Sequence, residues 1–226
     1  MERVTRAALD AARRFADSYE VIIVNDGSKD HTGEIADRLA AEIPEVRAVH
    51  NDPNIGYGGA VARGLCESRM EWIFFTDGDG QFDINELPKL IGILDTCDFA
   101  VGTRLNRADP WIRKLNAYCW GVLVRMLFGL KVSDIDCAFK LLPKSLIDAI
   151  ELHSEGALIS TELLAKAKYR GLRIAEVGVH HYPRTAGEQT GANIKVILKA
   201  FRELFKLRHA IRSEGMSLPE RHGEGR

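Results

Sequence analysis

Residues 74–90, FFTDGDGQFDINELPKL, carry a cluster of acidic residues directly after a short hydrophobic run. They match much of a calcium-binding EF-hand loop, at Asp77, Asp79, Gly80, Phe82, Asp83 and Glu86. Two features contradict that interpretation: the first ligand position holds Phe75 instead of Asp, and the loop should be entered from a helix. The preceding run WIFF is aromatic and β-branched, which predicts a buried strand. The acids therefore lie at the C-terminal end of a strand, the edge where open α/β sheets bind ligands.

Two earlier segments repeat this arrangement of a buried strand followed by polar residues and glycine. The strand predicted at 20–25 ends in Asp26-Gly27-Ser28, and the strand at 46–50 is followed by a glycine-rich loop at 51–59. Helical patterns separate the strands, which indicates an α/β fold with a parallel sheet. Because parallel strands end at the same edge of a sheet, we expect the polar segments to lie together.

The whole-chain composition excludes several classes of protein. The 226 residues carry a formal net charge of −1, so no overall electrostatic field favours nucleic acid as a partner. The four cysteines form no CxxC pair, which argues against a structural zinc site or a disulfide framework. The longest nearly uncharged run, at 115–130, is shorter than the roughly 20 residues needed to span a bilayer.

The polar segments have the chemistry of a site for a metal ion and a nucleotide. Asp77 and Asp79, with the amide of Gln81, suit a hard divalent cation such as Mg²⁺ or Mn²⁺ that would bridge a diphosphate. A carboxylate at a strand end, such as Asp26, can accept hydrogen bonds from a ribose or a base. Neither a G-x-x-x-x-G-K-[ST] loop nor a strand followed by G-x-G-x-x-G is present, which argues against a P-loop NTPase or a dinucleotide-dependent dehydrogenase. On its own, each short motif is also typical of a turn or a solvated loop.

The chain resembles glycosyltransferase family 2 from residue 2 to about residue 212, because six segments occur in the order found in that family. They are VNDGSKDHTGEIADRLA, HNDPNIGYGGAVARGL, FFTDGDGQFD, VGTRLNR, SDIDCAFKLLPKSL and HHYPRTAGE. The resemblance is strongest to the branch of dolichyl-phosphate-mannose-synthase-like and undecaprenyl-phosphate sugar transferases. It implies a GT-A type fold, a three-layer α/β sandwich with a mostly parallel, Rossmann-like nucleotide-binding sheet and a C-terminal amphipathic helix.

The resemblance also implies residues that bind the donor and the metal. Asp26 would contact the nucleoside, and Asn54 and Gly58 in the glycine-rich loop would contact the donor. The DxDxQ set of the family, which binds Mg²⁺ or Mn²⁺, corresponds to Asp77, Asp79 and Gln81. Within that set Asp77 would also contact the donor, and Asp79 would act in catalysis.

Charged residues around the reacting phosphates complete the set that the resemblance implies. Arg104 in VGTRLNR and Arg184 in the R-x-x-G segment correspond to catalytic arginines, and Arg113 to a donor-binding arginine. Single arginines of this kind also form ordinary surface ion pairs. Asp134 matches the catalytic acid of the family's D-x-x-[SC]-G-F-[KR] block. A second acid, Asp136, departs from that block, so the division of roles between the two acids stays open.

The implied activity is a metal-dependent, inverting transfer of a sugar from a nucleotide-sugar donor, GDP-mannose or a UDP-hexose, to a polyprenyl phosphate of the dolichyl or undecaprenyl type. A phosphate acceptor is already an anion near neutral pH, so the site needs a cation and arginines more than a strong general base. Two alternatives stay open. One is an enzyme that glycosylates a glycan, a small molecule or a protein, and the other is a catalytically silent protein that binds a nucleotide or a membrane.

Residues 193–212 predict an amphipathic helix with a basic polar face. Its apolar positions form one stripe: Ile194, Ile197, Leu198, Phe201, Leu204, Phe205 and Ile211. Six basic residues accompany a single acid, Glu203, and such a helix lies in a membrane interface, packs on the sheet or packs on a partner chain. We therefore expect a protein that is peripheral on the cytoplasmic face of a membrane. The sequence leaves the oligomeric state open, a homo-oligomer included.

The predicted organisation is one glycosyltransferase domain over 1–212 and a disordered polar tail over 213–226. Family members usually open with a strand and a nucleotide-binding block, whereas this chain opens within what resembles the following helix. We therefore expect a domain truncated at its N-terminus, through a misassigned start or as a fragment, with backbone groups of neighbouring strands left unpaired. Glu162, in a helix predicted at 160–169, is either an acceptor-side acid or a charge on an exposed helix face.

Overall fold

The structure is a computed structural model that describes residues 1–105, 111–183 and 194–213. Side chains are described for all of these residues except 111–117 and 194–200. The helices are α1 (Glu2–Phe15), α2 (Thr32–Glu42), α3 (Gly56–Glu67), α4 (Leu87–Ile91), α5 (Trp111–Phe128), α6 (Lys144–Asp148), α7 (Ile159–Tyr169) and α8 (Ile194–Ser213), with a 3-10 turn at Ile84–Glu86. The strands are β1 (Val21–Asn25), β2 (Val46–His50), β3 (Trp72–Thr76), β4 (Phe99–Leu105), β5 (Phe139–Pro143) and β6 (Ile174–His180). The tail predicted to be disordered lies outside the described residues from 214 onward.

Within the described residues the strands form two sheets that share no hydrogen-bonded strand pair. β1 and β2 pair in parallel, with Val21 opposite Val46 and Asn25 opposite His50. The second sheet has the order β3-β5-β4-β6, in which β5 is antiparallel to both neighbours and β4 is parallel to β6. The predicted α/β class with a mostly parallel sheet is confirmed, and in the second sheet β5 alone runs opposite to the other three strands.

The reversed direction of β5 brings distant segments of the chain to one edge of the second sheet. Thr76 at the end of β3 lies opposite Phe139 at the start of β5. The residues that follow β3, beginning with Asp77, therefore share an edge with the residues that precede β5, which include Asp134 and Asp136. β4 and β6 also end at this edge, because both run in the direction of β3. Strand direction alone thus gathers the acids of two separate loops.

Most predicted elements agree with the structure, and β2 has the predicted bounds. The largest difference is α3, which begins at Gly56 inside the segment predicted to be a glycine-rich loop. Gly56 has a φ of 83°, a backbone conformation that favours glycine. The first turn of α3, Gly-Tyr-Gly-Gly, has a low intrinsic helix propensity. Tertiary contacts must therefore hold this turn in place.

The largest hydrophobic core joins strands β3, β4 and β5 to helices α5, α7 and α8. Helix α7 lies so deep in this core that residues 159–167 are all buried. Helix α8 divides its apolar residues between core and surface: Leu204, Leu207 and Ile211 are buried, whereas Phe201 and Phe205 are exposed. The predicted C-terminal amphipathic helix is confirmed, and in this part of α8 its apolar residues are divided between the core and the surface. Over the described residues, every helix is too short or too polar to cross a lipid bilayer.

Replacement of Leu204 by alanine should destabilise the protein by about 2–5 kcal/mol, because it opens a cavity in the shared core. Replacement of the neighbouring Phe205 by alanine should cost only about 0.5 kcal/mol, because that side chain is 53% exposed. Urea unfolding followed by circular dichroism measures both free energies. Equal losses for the two variants would contradict the packing of α8 against the core.

Candidate active site

The end of the first strand is organised around the carboxylate of Asp26. Its Oδ1 accepts hydrogen bonds from Asn51 Nδ2 at 3.0 Å and from the backbone N–H of Ile55 at 2.9 Å. The side-chain amide of Asn54 donates to the backbone carbonyl of Asp26. Gly27, with a φ of 67°, lies so close that a Cβ there would be 3.2 Å from the backbone nitrogen of Asn54. The loops after β1 and β2 are therefore joined by hydrogen bonds and by close backbone contact.

The first turn of α3 packs against the backbone of the 153–156 loop. The N–H of Gly58 donates to the carbonyl of Glu155 at 2.7 Å. A Cβ on Gly58 would lie 2.0 Å from the carbonyl oxygen of Ser154, and a Cβ on Gly56 would lie 2.7 Å from that of Glu155. The space at both positions therefore admits only glycine, and the neighbour that imposes this limit is the protein's own backbone. A donor contact by Gly58 stays a prediction.

Between these two glycines, Tyr57 reaches the acids that follow β3. Its hydroxyl donates to Asp77 Oδ1 at 3.1 Å, while part of its ring faces solvent. Desolvation of the phenol raises the pKa of Tyr57 above its ordinary value, and the charges of Asp77, Asp136 and Asp79 raise it further. The hydroxyl thus remains a proton donor to Asp77 across the physiological pH range. The sequence analysis did not identify Tyr57 as a site residue. The sequence feature that could have indicated it is its position between Gly56 and Gly58.

The DxDxQ segment is fixed by its own turn and by the end of β6. Asp79 Oδ1 accepts a hydrogen bond from the backbone N–H of Gln81 at 3.0 Å. Gln81 Nε2 donates to the carbonyl of Tyr182 at 2.9 Å, and the Gln81 carbonyl accepts from the N–H of Tyr182 at 2.8 Å. Because its amide nitrogen donates in this contact, Gln81 would ligate a cation through Oε1.

Arg104 and Asp134 form a bidentate ion pair at the same edge of the sheet. Arg104 Nε and Nη2 donate to the two carboxylate oxygens of Asp134 at 2.7 Å each, and the Arg104 backbone N–H donates at 3.1 Å. Their side chains are only 16% and 11% exposed. Ser133 anchors the same loop, since its N–H and hydroxyl donate to Glu176 on β6 at 2.9 and 2.6 Å. Two residues predicted to act in catalysis are thus in direct contact.

A second cation near these acids, Lys140 on β5, is fully buried. Its Nζ donates to the carbonyls of Ile135 and Cys137 and, at 3.3 Å, to the hydroxyl of Ser160. Burial lowers the pKa of Lys140, and the negative groups around it, which include acids of both loops, act in the opposite direction. Sequence reasoning missed Lys140. Its signal is a single charge inside the otherwise apolar strand FKLLP.

A divalent cation fits the donor atoms of the DxDxQ segment. No three His, Cys, Asp or Glu side chains within 1–105, 111–183 and 194–213 are grouped so that they could hold a metal ion. The predicted set is compatible with this finding, because it contains two carboxylates and takes its third donor from the amide of Gln81. All three donors are hard oxygen atoms, the ligands that Mg²⁺ and Mn²⁺ prefer.

The sequence profile of glycosyl transferase family 2 matches residues 2–150. The chain belongs to glycosyl transferase family 2. The matched part of the chain contains Asp26, the DxDxQ segment and the Arg104–Asp134 pair. The family match therefore covers these residues of the candidate site.

Two relatives show the extent of the similarity to known proteins. Glycosyltransferase AglD of Haloferax volcanii is 31% identical over 194 residues, which cover 81% of this chain and 31% of AglD. An undecaprenyl-phosphate mannosyltransferase of Micrococcus luteus is 29% identical over 180 residues, which cover 75% of this chain and 74% of that protein. The chain thus spans less than a third of the first relative's length and most of the second's.

Solved structures share the fold of this family 2 chain. One is a glucosyl-3-phosphoglycerate synthase from Mycobacterium tuberculosis in complex with Mn²⁺, UDP and glucosyl-3-phosphoglycerate. It matches with a TM-score of 0.64 at 19% sequence identity, over 92% of this chain and 75% of that chain. At this identity the likeness establishes the fold, which is the GT-A type implied by the resemblance.

The remaining predicted residues differ in what the structure says of them. Arg184 lies outside the described residues, and Arg113 lies in α5 at a position whose side chain is not described, so both roles stay predictions. Glu162 is described, and both interpretations offered for it are wrong. It is fully buried and pairs with Lys166 at 3.2 Å, so it is not on an exposed helix face and has no surface through which it could meet an acceptor.

Replacement of Asp134 by alanine should destabilise the protein by about 3–5 kcal/mol, because the largely buried cation of Arg104 loses its bidentate partner. The double variant Arg104→Met/Asp134→Ala should recover most of that loss, since it removes both charges together. Urea unfolding of the two single variants and the double variant gives the coupling free energy. Losses that simply add would contradict an energetic link between the two side chains.

Proposed function

We propose that this chain is a metal-dependent, inverting glycosyltransferase that transfers a sugar from a nucleotide donor to a polyprenyl phosphate. The observation that carries the proposal is the series of contacts that joins Asp26, through the loop after β2 and Tyr57, to Asp77. Family membership supports glycosyl transfer, and the similarity to an undecaprenyl-phosphate mannosyltransferase supports a polyprenyl phosphate acceptor.

On the donor side, this series of contacts provides groups for both ends of a nucleotide diphosphate. Asp26, whose position is fixed by two hydrogen-bond donors, would accept hydrogen bonds from the nucleoside. Asp77, Asp79 and Gln81 would hold Mg²⁺ or Mn²⁺, which when bound supplies Lewis-acid stabilisation of the departing nucleoside diphosphate. The contribution of the protein is to present these oxygen atoms in a fixed arrangement, through the bonds from Tyr57 to Asp77 and from Gln81 to the backbone after β6.

On the acceptor side, Arg104 is the described group that fits a phosphate. Its guanidinium already binds a carboxylate through two parallel hydrogen bonds, and phosphate oxygens match the same geometry. An incoming phosphate monoester would share Arg104 with Asp134, and the positive guanidinium would offset the charge of the attacking oxygen. That oxygen is already anionic near neutral pH, so attack on the anomeric carbon requires no strong general base. Displacement in line with the departing diphosphate inverts the anomeric centre.

The lipid part of such an acceptor gives a reason for the exposed aromatic residues of α8. Phe201 and Phe205 are exposed beside Arg202 and Lys206, and Phe201 packs on Trp120 of α5 with ring centroids 5.4 Å apart. Aromatic side chains with basic neighbours favour an anionic membrane interface, where each basic residue contributes about 1 kcal/mol. We propose that this surface of α8 lies on the cytoplasmic face of a membrane.

Titration with GDP and with UDP, each with and without Mn²⁺, should reveal metal-dependent binding of one nucleotide by calorimetry. Asp79→Asn should weaken that binding by about 10- to 100-fold, because it removes a charged ligand of the cation. Asp148→Asn is the matched control, since Asp148 is an exposed acid that pairs with Lys144 on α6. Equal affinities for the two variants, or binding that is indifferent to Mn²⁺, would contradict the metal set.

The acceptor is tested with the donor whose nucleotide binds. Transfer of labelled sugar to a polyprenyl phosphate, with none to glycans, small alcohols or proteins, supports the proposal. Transfer to one of the soluble acceptors assigns the chain to the alternative class of glycosyltransferase. Nucleotide binding without transfer to any acceptor supports the catalytically silent alternative.

Replacement of Phe205 by serine should lower binding to vesicles that contain an anionic lipid, because it removes an exposed aromatic side chain from the proposed membrane surface. We expect a loss of about 10- to 150-fold in the partition coefficient, measured by vesicle sedimentation, because burial of one Phe contributes about 1.5–3 kcal/mol. Phe15→Ser is the control, since Phe15 is 48% exposed on α1. Similar partitioning of both variants would argue against α8 as the contact.

A further inference from the structure

We propose that Glu162 is a positioning residue for the donor site: its carboxylate fixes the 153–156 loop, and that loop fixes the turn that carries Tyr57 onto Asp77. The inference deepens the proposed function and rests on it for the role of the site. In this arrangement Glu162 touches no reacting group and acts only through the loop.

The first step is the way in which α7 holds the loop. Glu162 has no exposed surface, and its charge is matched by Lys166 one turn later, with 3.2 Å between Nζ and Oε1. A buried ion pair is costly unless further hydrogen bonds satisfy its polar atoms. Those bonds come from backbone groups of the loop. The Glu162 carboxylate accepts from the N–H of His153 at 3.1 Å and of Ser154 at 2.8 Å, and Lys166 donates to the carbonyl of Glu151 at 2.6 Å.

The second step is the contact between the loop and the first turn of α3. The carbonyl of Glu155 accepts the N–H of Gly58 at 2.7 Å, and the carbonyl of Ser154 occupies the space in which a Cβ of Gly58 would lie. Because Gly58 has no side chain, the backbone of the turn is in direct contact with the backbone of the loop. A movement of the loop therefore moves the turn as well, because no side chain at this contact can change its rotamer to compensate.

The third step leads from the turn to the acids of the DxDxQ segment. Tyr57 follows Gly56 and precedes Gly58, so both of its neighbours are fixed by the loop. Its hydroxyl donates to Asp77 Oδ1 at 3.1 Å and so helps to set the orientation of a proposed metal ligand. Metal ligands need supporting hydrogen bonds to stay oriented, and loss of such support lowers metal affinity. A buried carboxylate on α7 thereby contributes to ligand geometry at the end of β3.

Glu162→Gln tests this connection, because it keeps the size of the side chain but removes the negative charge that strengthens the hydrogen bonds from the loop N–H groups and that pairs with Lys166. We expect the affinity for the nucleotide with Mn²⁺ to fall by about 10- to 100-fold. We also expect the Gly58 amide to exchange faster with solvent. Leu164→Ala is the matched control, since Leu164 is fully buried on the same helix and cannot form a side-chain hydrogen bond to the loop. It should lower the unfolding temperature and change neither readout.

A double-variant cycle separates positioning from general loss of stability. Gly58→Ala places a methyl group 2.0 Å from the Ser154 carbonyl and so disturbs the same contact from its other side. If Glu162 acts through this contact, the double variant should bind the nucleotide at most about threefold more weakly than Gly58→Ala alone. Losses that multiply, or a loss in Glu162→Gln no larger than in Leu164→Ala, overturn the proposal.

Failure of the proposed function can be told apart from failure of this inference. If the unaltered protein binds neither nucleotide, the proposed function fails, and unchanged exchange of the Gly58 amide in Glu162→Gln overturns the positioning role as well. If Glu162→Gln does not fold, the positioning role is tested by amide hydrogen exchange in the unaltered protein. The amides of His153, Ser154 and Gly58 should then open as one unit with equal protection, and independent opening of Gly58 overturns the proposal.

Discussion

The collection of carboxylates at one edge of the second sheet is the constraint on which the site depends. The charges of Asp77, Asp79 and Asp136 act together on Tyr57, and Asp134 belongs to the same loop as Asp136. Like charges at close range destabilise a folded chain unless cations offset them. The protein supplies an arginine in a bidentate pair and a buried lysine. A divalent cation bound at the proposed DxDxQ site would reduce the same repulsion, and its binding would then stabilise the fold at this edge.

The buried lysine explains why the reversed strand matters. Lys140 can be buried because its ammonium group donates to two carbonyls, of Ile135 and Cys137, and to the hydroxyl of Ser160. The two carbonyls belong to the loop that carries Asp134 and Asp136. The cation that offsets the acids therefore also shapes their loop. It reaches this position because β5 lies between β3 and β4, with its first residue opposite the last residue of β3.

Local patterns predicted the elements well but could not predict what holds them in place. The bounds of β2 were predicted correctly, and the polar strand ends drew attention to Asp26 and the DxDxQ segment. The direction of β5 could not be predicted locally, because a short apolar run indicates a buried strand but not whether that strand is parallel or antiparallel to its neighbours. Gly58 was predicted to contact the donor, but no local pattern predicted that its backbone would lie against Ser154, which is far away in the chain. Glu162 looked like a surface charge for the same reason, because its partners follow from tertiary packing.

The packing of α8 limits the kind of membrane contact that we propose for this protein. Leu204, Leu207 and Ile211 are committed to the core that also contains α7, so in the described part of α8 the large apolar side chains left for a lipid surface are Phe201 and Phe205. Burial of two aromatic side chains contributes only about 3–6 kcal/mol, so such a contact would be reversible and would depend on the basic neighbours. The same commitment fixes the orientation of both aromatic residues relative to α7. A membrane bound there would meet the folded domain in one defined orientation, which a loosely tethered amphipathic helix could not provide.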